Sequence, residues 1–161
     1  LPENVAGIEL NLRAEVINTP FYHYTHGLKK HDGNCQRIAH GHRSKVVVFE
    51  NQQENIKYQE YWAKRWCDIY IGSTEDIVDA SATVFSLPDG DFEHHHVFAY
   101  ESSQGRFELA IPKAESEMMA TDTTVECLAQ FMADEHKRLK SDSDFKVLAY
   151  EGVGKGAIAF A

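Results

Sequence analysis

At 161 residues, with 43% hydrophobic and 25% charged residues and no low-complexity tract, the chain can bury one core, and disordered or solenoid organisation is excluded. A formal net charge of −9 at pH 7 and a pI near 5.4 exclude a protein built mainly to bind a polyanion, so no nucleic-acid partner is expected. No apolar run approaches the roughly 18 residues that span a bilayer, and no basic-then-apolar leader opens the chain, so no membrane partner is expected either.

Residues 8–16 alternate, with Ile8, Leu10, Leu12, Ala14 and Val16 on one parity and Glu9, Asn11, Arg13 and Glu15 on the other, which predicts a half-buried strand. A second strand is predicted from Phe21 to His26, then a polar loop over 27–39, then a third strand from His40 through Val46-Val47-Val48. The spacing of Ile56, Tyr61, Trp62 and Trp66 fits a helix over 53–66. A short strand is predicted over 68–71, a turn at Pro88-Asp89-Gly90, and a hairpin of 97–100 with 106–111. Thr123-Thr124-Val125-Glu126 reads as a capping box, followed by Val125, Leu128, Met132 and Leu139 at helical spacing. The last predicted strand covers 145–150 and runs into the glycine-rich 152–156, which lacks the spacing of a phosphate loop. The whole predicts an α+β domain over 1–161, an antiparallel sheet with helices on one face.

Three cysteines at scattered positions, Cys35, Cys67 and Cys127, predict free thiols in a reducing, cytoplasmic compartment, with Cys67 and Cys127 in the core. The chain opens at Leu1-Pro2 without methionine, and the expectation is a piece of a longer protein.

The chemistry is concentrated in one segment. His40-Gly41-His42 heads a strand, where residues two apart face the same side, so both imidazoles can approach one ion. A His-x-His pair is easily met by chance among nine histidines, but His26, His31, Cys35, His40 and His42 fall within 17 residues that a strand-loop-strand would fold together. Zinc is the expected cofactor, with His26, His40 and His42 as three protein ligands and one position left open. Lys29, Lys30, Arg37, Arg43 and Lys45 bracket these histidines and either draw a phosphorylated substrate or are solvated loop charge.

Tyr24-Thr25-His26-Gly27-Leu28, His31-Asp32-Gly33-Asn34-Cys35 and His40-Gly41-His42 together resemble the zinc and cysteine signature of the 6-pyruvoyl-tetrahydropterin synthase and 6-carboxy-tetrahydropterin synthase family. Thr124-x-Glu126-x-Leu128-Ala129 resembles the family's helix start, and Val147-x-Ala149-Tyr150-Glu151 its final strand. The resemblance implies the tunnelling T-fold and a homo-oligomer whose sites lie between subunits. It also implies a zinc-dependent carbon-oxygen or carbon-carbon lyase acting on 7,8-dihydroneopterin triphosphate or a related pterin, as in queuosine or biopterin biosynthesis. His26, His40 and His42 become zinc ligands, Cys35 the general base, Glu151 the anchor of the pterin ring, and Thr124 a further substrate contact. A thiolate near a cation has a lowered pKa, and a carboxylate can accept two hydrogen bonds from the amidine edge of a pterin.

The family's Asp-His-x-x-Leu-Asn stretch has no match here, and Glu93-His94 is the nearest acid-histidine pair to stand in as catalytic residues. The chain resembles the C-terminal half of a fused two-unit member. Two alternatives therefore stay open: a zinc- and pterin-binding unit with little activity without its partner half, and a zinc hydrolase in which Cys35 is incidental.

Overall fold

The computed structural model describes residues 19–27, 39–87, 90–102, 105–152 and 154–161. The strand predicted over 8–16, the segment with His31 and Cys35, and Pro88-Asp89 lie outside the described residues.

β1 (Phe21–His26) and β2 (His40–Glu50) pair antiparallel, with His26 opposite His40 and Tyr24 opposite His42. β3 (Gln53–Glu54) folds back on the end of β2, and Asn55 caps α1 (Ile56–Arg65) by accepting from the Lys57 amide. β4 (Cys67–Ser73) then runs parallel to β1. β5 (His95–Ser102) and β6 (Gly105–Pro112) form the expected hairpin, as a separate two-stranded sheet. β7 (Ser116–Met119) adds to β4, again parallel. After α2 (Val125–Leu139), β8 (Phe145–Gly152) returns beside β2, and β9 (Lys155–Phe160) closes the order β7-β4-β1-β2-β8-β9. The sheet is open and mixed: the two parallel pairings at β4 depart from the all-antiparallel expectation, because α1 carries the chain from β2 across to the far side of β1.

Both helices cover one face, as expected. Even-numbered Tyr22, Tyr24, Val46 and Val48, with odd-numbered Phe145, Val147, Ala149 and Ala159, meet Trp62 and Trp66 near α1 and Leu128, Ala129, Met132 and Ala133 of α2. The period-2 pattern of each strand thus sorts its residues between this core and the other face. His136 belongs to the core, 3% exposed, where its Nε2 accepts from Trp62 Nε1 at 2.8 Å. Arg65 ties α1 to the sheet through a two-point pairing with Glu117, which also accepts from Trp66 Nε1 at 2.9 Å.

Four local expectations change. The N-cap of α2 is Thr124, accepting from the Cys127 amide, so the helix starts one residue later than the capping box implies, and Thr123 is released for another role. Leu139 is 64% exposed, since the buried stripe ends at His136. Cys67 is exposed rather than a core thiol, because the strand turns its side chain away from Trp66; Cys127 packs at the core's margin. The glycine-rich stretch is a strand turn and not the end of the sheet, so β9 follows β8. Gly156 has a packing reason there: a β-carbon on it would collide with the Ala149 carbonyl oxygen and lie 3.1 Å from Tyr150. Gly156→Ala should therefore lower stability by about 1–3 kcal/mol, read as a lower urea midpoint at unchanged slope; an unchanged midpoint would mean that β8 and β9 do not approach so closely.

Candidate metal centre

The three histidines singled out in the sequence do converge. Each lies on the helix-covered face, His26 at the end of β1 and His40 and His42 at the start of β2. Ring centroids are 5.0 Å apart for His26 and His42, 4.5 Å for His40 and His42, and 6.2 Å for His26 and His40.

The protons on two of these rings follow from their partners. His26, 1% exposed, directs Nδ1 at the Thr123 carbonyl oxygen (2.7 Å) and at Thr123 Oγ1 (3.0 Å). Thr123 Oγ1 donates its own proton to the Gly27 carbonyl at 2.9 Å, so both Thr123 atoms accept and His26 Nδ1 is the donor. His42 Nδ1 likewise donates to the Glu151 carbonyl oxygen at 2.9 Å. In its neutral form each ring therefore presents an unprotonated Nε2, and these two nitrogens face one another at 3.1 Å. Two lone pairs at that distance repel unless a cation sits between them. Two nitrogens on a tetrahedral ion with bonds of about 2.05 Å are separated by roughly 3.3 Å, close to what is found here. An Nδ1 proton committed to a carbonyl is also the usual support of a metal-ligating imidazole. The donors fit zinc.

As they stand, no group of three His, Cys, Asp or Glu side chains among the described residues is arranged to hold a metal. His26 and His42 are in place, and His40, half-buried, would have to turn toward them. Cys35 lies outside the described residues.

Glu151 is the next-to-last residue of β8, on the same face, its carboxylate largely covered and paired with the exposed Lys155 across the β8–β9 turn. Thr123 was missed by the sequence reading, which singled out its neighbour: Thr124 serves as helix cap, whereas Thr123, fully buried, orients His26. The only signal available was two consecutive threonines with one cap position to fill. Glu93 is exposed, its carbonyl accepting from Lys113 Nζ at 2.6 Å, and the acid that pairs with His94 is Asp91, at 2.7 Å in an exposed turn. A cleft of about 310 Å³ opens on the opposite sheet face, lined by His23, Thr25, Asp68, Tyr70, Leu109 and Ile111, and so is not where the three histidines meet.

Burial, and then the neighbouring His42, lower the His26 pKa from its ordinary value to about 4, and burial lowers that of His42 too. The unfolded chain takes up a proton near pH 6.5, whereas folded His26 resists until about pH 4, so the unfolded state holds more protons between these values and stability rises with pH. Metal-free protein should lose about 3 kcal/mol from His26 as pH falls through that window. Denaturant titrations across it check this, and His26→Gln should flatten the slope; an equal slope in the variant would refute the assignment.

No family model matches the sequence, and no curated protein matches it. Solved structures do. The 6-pyruvoyl tetrahydropterin synthase of Plasmodium falciparum superposes with a TM-score of 0.59 at 10% identity, over 88% of this chain and 91% of that one. A catalytic-residue mutant of 6-pyruvoyltetrahydropterin synthase from Plasmodium vivax superposes with a TM-score of 0.55 at 13% identity, with the same coverage. The large mixed sheet with two helices on one face is thus the α+β T-fold of the 6-pyruvoyl tetrahydropterin synthases.

Proposed function

We propose that the chain is a zinc-dependent, pterin synthase-like lyase acting on 7,8-dihydroneopterin triphosphate or a related pterin. The observation that carries this is the pair of imidazole Nε2 atoms at 3.1 Å, each ring pinned through Nδ1 to a carbonyl oxygen. The shared fold supports it.

His26 and His42 would hold the ion, with His40 as third ligand. Zinc bound there would polarise side-chain oxygens of the substrate and acidify the adjoining C–H bonds. The protein's own residues do the rest. Thr123 and the Glu151 carbonyl keep the two imidazoles in the ligating tautomer. The Glu151 carboxylate accepts from the amidine edge of the pterin and sets the ring's orientation. Cys35 is assigned the proton from the side-chain carbon, after which either a carbon-oxygen or a carbon-carbon bond is broken. The sheet face opposite the helices, with Ile158 and Phe160 at 59% and 67% exposure, supports a homo-oligomer with sites between subunits.

A second reading, a zinc- and pterin-binding unit that turns over slowly without a partner half, is favoured by His94, which pairs with Asp91 in an exposed turn. Steady-state turnover of this chain against its parent protein, at equal zinc content, separates the two.

Purified protein should hold close to one zinc per chain by elemental analysis, and His42→Ala should lose most of it, with affinity falling by orders of magnitude. Full zinc in that variant would sink the site. Cys35→Ala should keep zinc and pterin yet lower turnover by about 10²–10⁴-fold, measured by product analysis with dihydroneopterin triphosphate; normal turnover would favour a hydrolase in which the cysteine is incidental.

A further inference from the structure

Where Leu139 leaves the buried stripe of α2, it becomes the wall of a groove. The groove, about 250 Å³, lies between the two helices and is lined by Lys57, Tyr58 and Tyr61 of α1 and by His136 and Leu139 of α2. Its lining is almost wholly apolar or aromatic, and Tyr61 and Leu139 are both exposed along it. The exception is His136, whose ring lies against Tyr58, with centroids 4.3 Å apart, and stacks on Phe145 at 5.2 Å.

An indole N–H can only donate, so the 2.8 Å contact from Trp62 Nε1 makes His136 Nε2 an acceptor, and the neutral ring carries its proton on Nδ1. Burial lowers the His136 pKa from its ordinary value, which keeps the ring neutral at pH 7. Among the described residues nothing accepts the Nδ1 proton, although the residue is 3% exposed. A donor so placed normally has an acceptor. Nδ1 is not fully enclosed either, and the open space that His136 lines is the groove.

The second polar group is the ammonium of Lys57, which is exposed and makes no ion pair with a described residue. The acids nearby are already matched: Glu50 is held by Lys140, and Glu135 by Arg65 and Arg138. The groove therefore offers apolar walls, one fixed N–H donor and one cation, and its complement is an apolar body that ends in an anionic acceptor.

We propose that this groove binds a small molecule with an aryl or alkyl body and a carboxylate, the body against Tyr58, Tyr61 and Leu139 and the carboxylate on His136 Nδ1 and Lys57. Only hydrogen bonds and contacts form. The site is separate from the candidate metal centre, because Phe145, beneath His136, is opposite Glu50 at the end of β2, whereas His40 and His42 begin that strand.

The experiment is titration of the purified chain with hydrocinnamate, followed by NMR at the His136 ring nitrogens and the Leu139 methyls. Both should shift saturably, and the His136 Nδ1 proton should exchange more slowly as it gains an acceptor. Phenylpropylamine, with the same body and the opposite charge, should bind at least about tenfold more weakly, and Lys57→Glu should weaken hydrocinnamate binding by a similar factor. Lys57 is exposed, so its replacement leaves the core and the Trp62–His136 contact intact. Absence of saturation, or equal affinity for acid and amine, overturns the proposal. Leu139 shifts with an unmoved His136 Nδ1 overturn it in favour of unspecific apolar adhesion, and groove shifts that follow protein concentration without ligand overturn it in favour of a second copy of the chain.

Discussion

Two imidazoles can be brought nose to nose only if something else holds them there, and the hydrogen bonds to the back of each ring do that. His26 is tied to Thr123, just ahead of α2, and His42 to the carbonyl of Glu151 on β8. These contacts join segments about 100 residues apart in the chain, so the candidate centre exists only when β1, β2, β8 and the entry to α2 are all in register. The cost of keeping two facing lone pairs in a buried place is offset by the packing around them, in which Tyr24 lies against both rings.

The same constraint explains the electrostatics. Burial and the mutual influence of the rings keep the histidines neutral, the state in which imidazole binds a metal. Glu151 contributes at two levels: its carbonyl fixes a ring, and its carboxylate brings a negative charge to the same face. A ligand held by that carboxylate would lie beside whatever the imidazoles hold, so the proposed anchor and the proposed metal centre would form one site.

Much of the fold was legible in the residues. β1 was read with its observed bounds, and the start of β2, the hairpin and α2 were recognisable because period-2 and period-3.6 patterns report which face is buried. β7 and β9 were missed for different reasons. β7 is four residues long and owes its extended state to β4, against which it lies, and β9 follows a glycine-rich stretch that looks like a terminus until the close approach at Gly156 is seen. The parallel pairings at β4 were beyond reach, because local sequence carries no record of which neighbour a strand will choose.

The site divides in the same way. Residue types and spacing by themselves determined that His26, His40 and His42 share a face, since a strand alternates its side chains and a short connection must return beside its start. They also placed Glu151 at the end of the last predicted strand, which in the structure runs on to Gly152. Only the tertiary structure decided which nitrogen of each ring meets a carbonyl oxygen, and that Thr123 and not Thr124 reaches His26. Those facts depend on partners distant in the chain, and a hydrogen bond between distant residues leaves no period for a sequence to display.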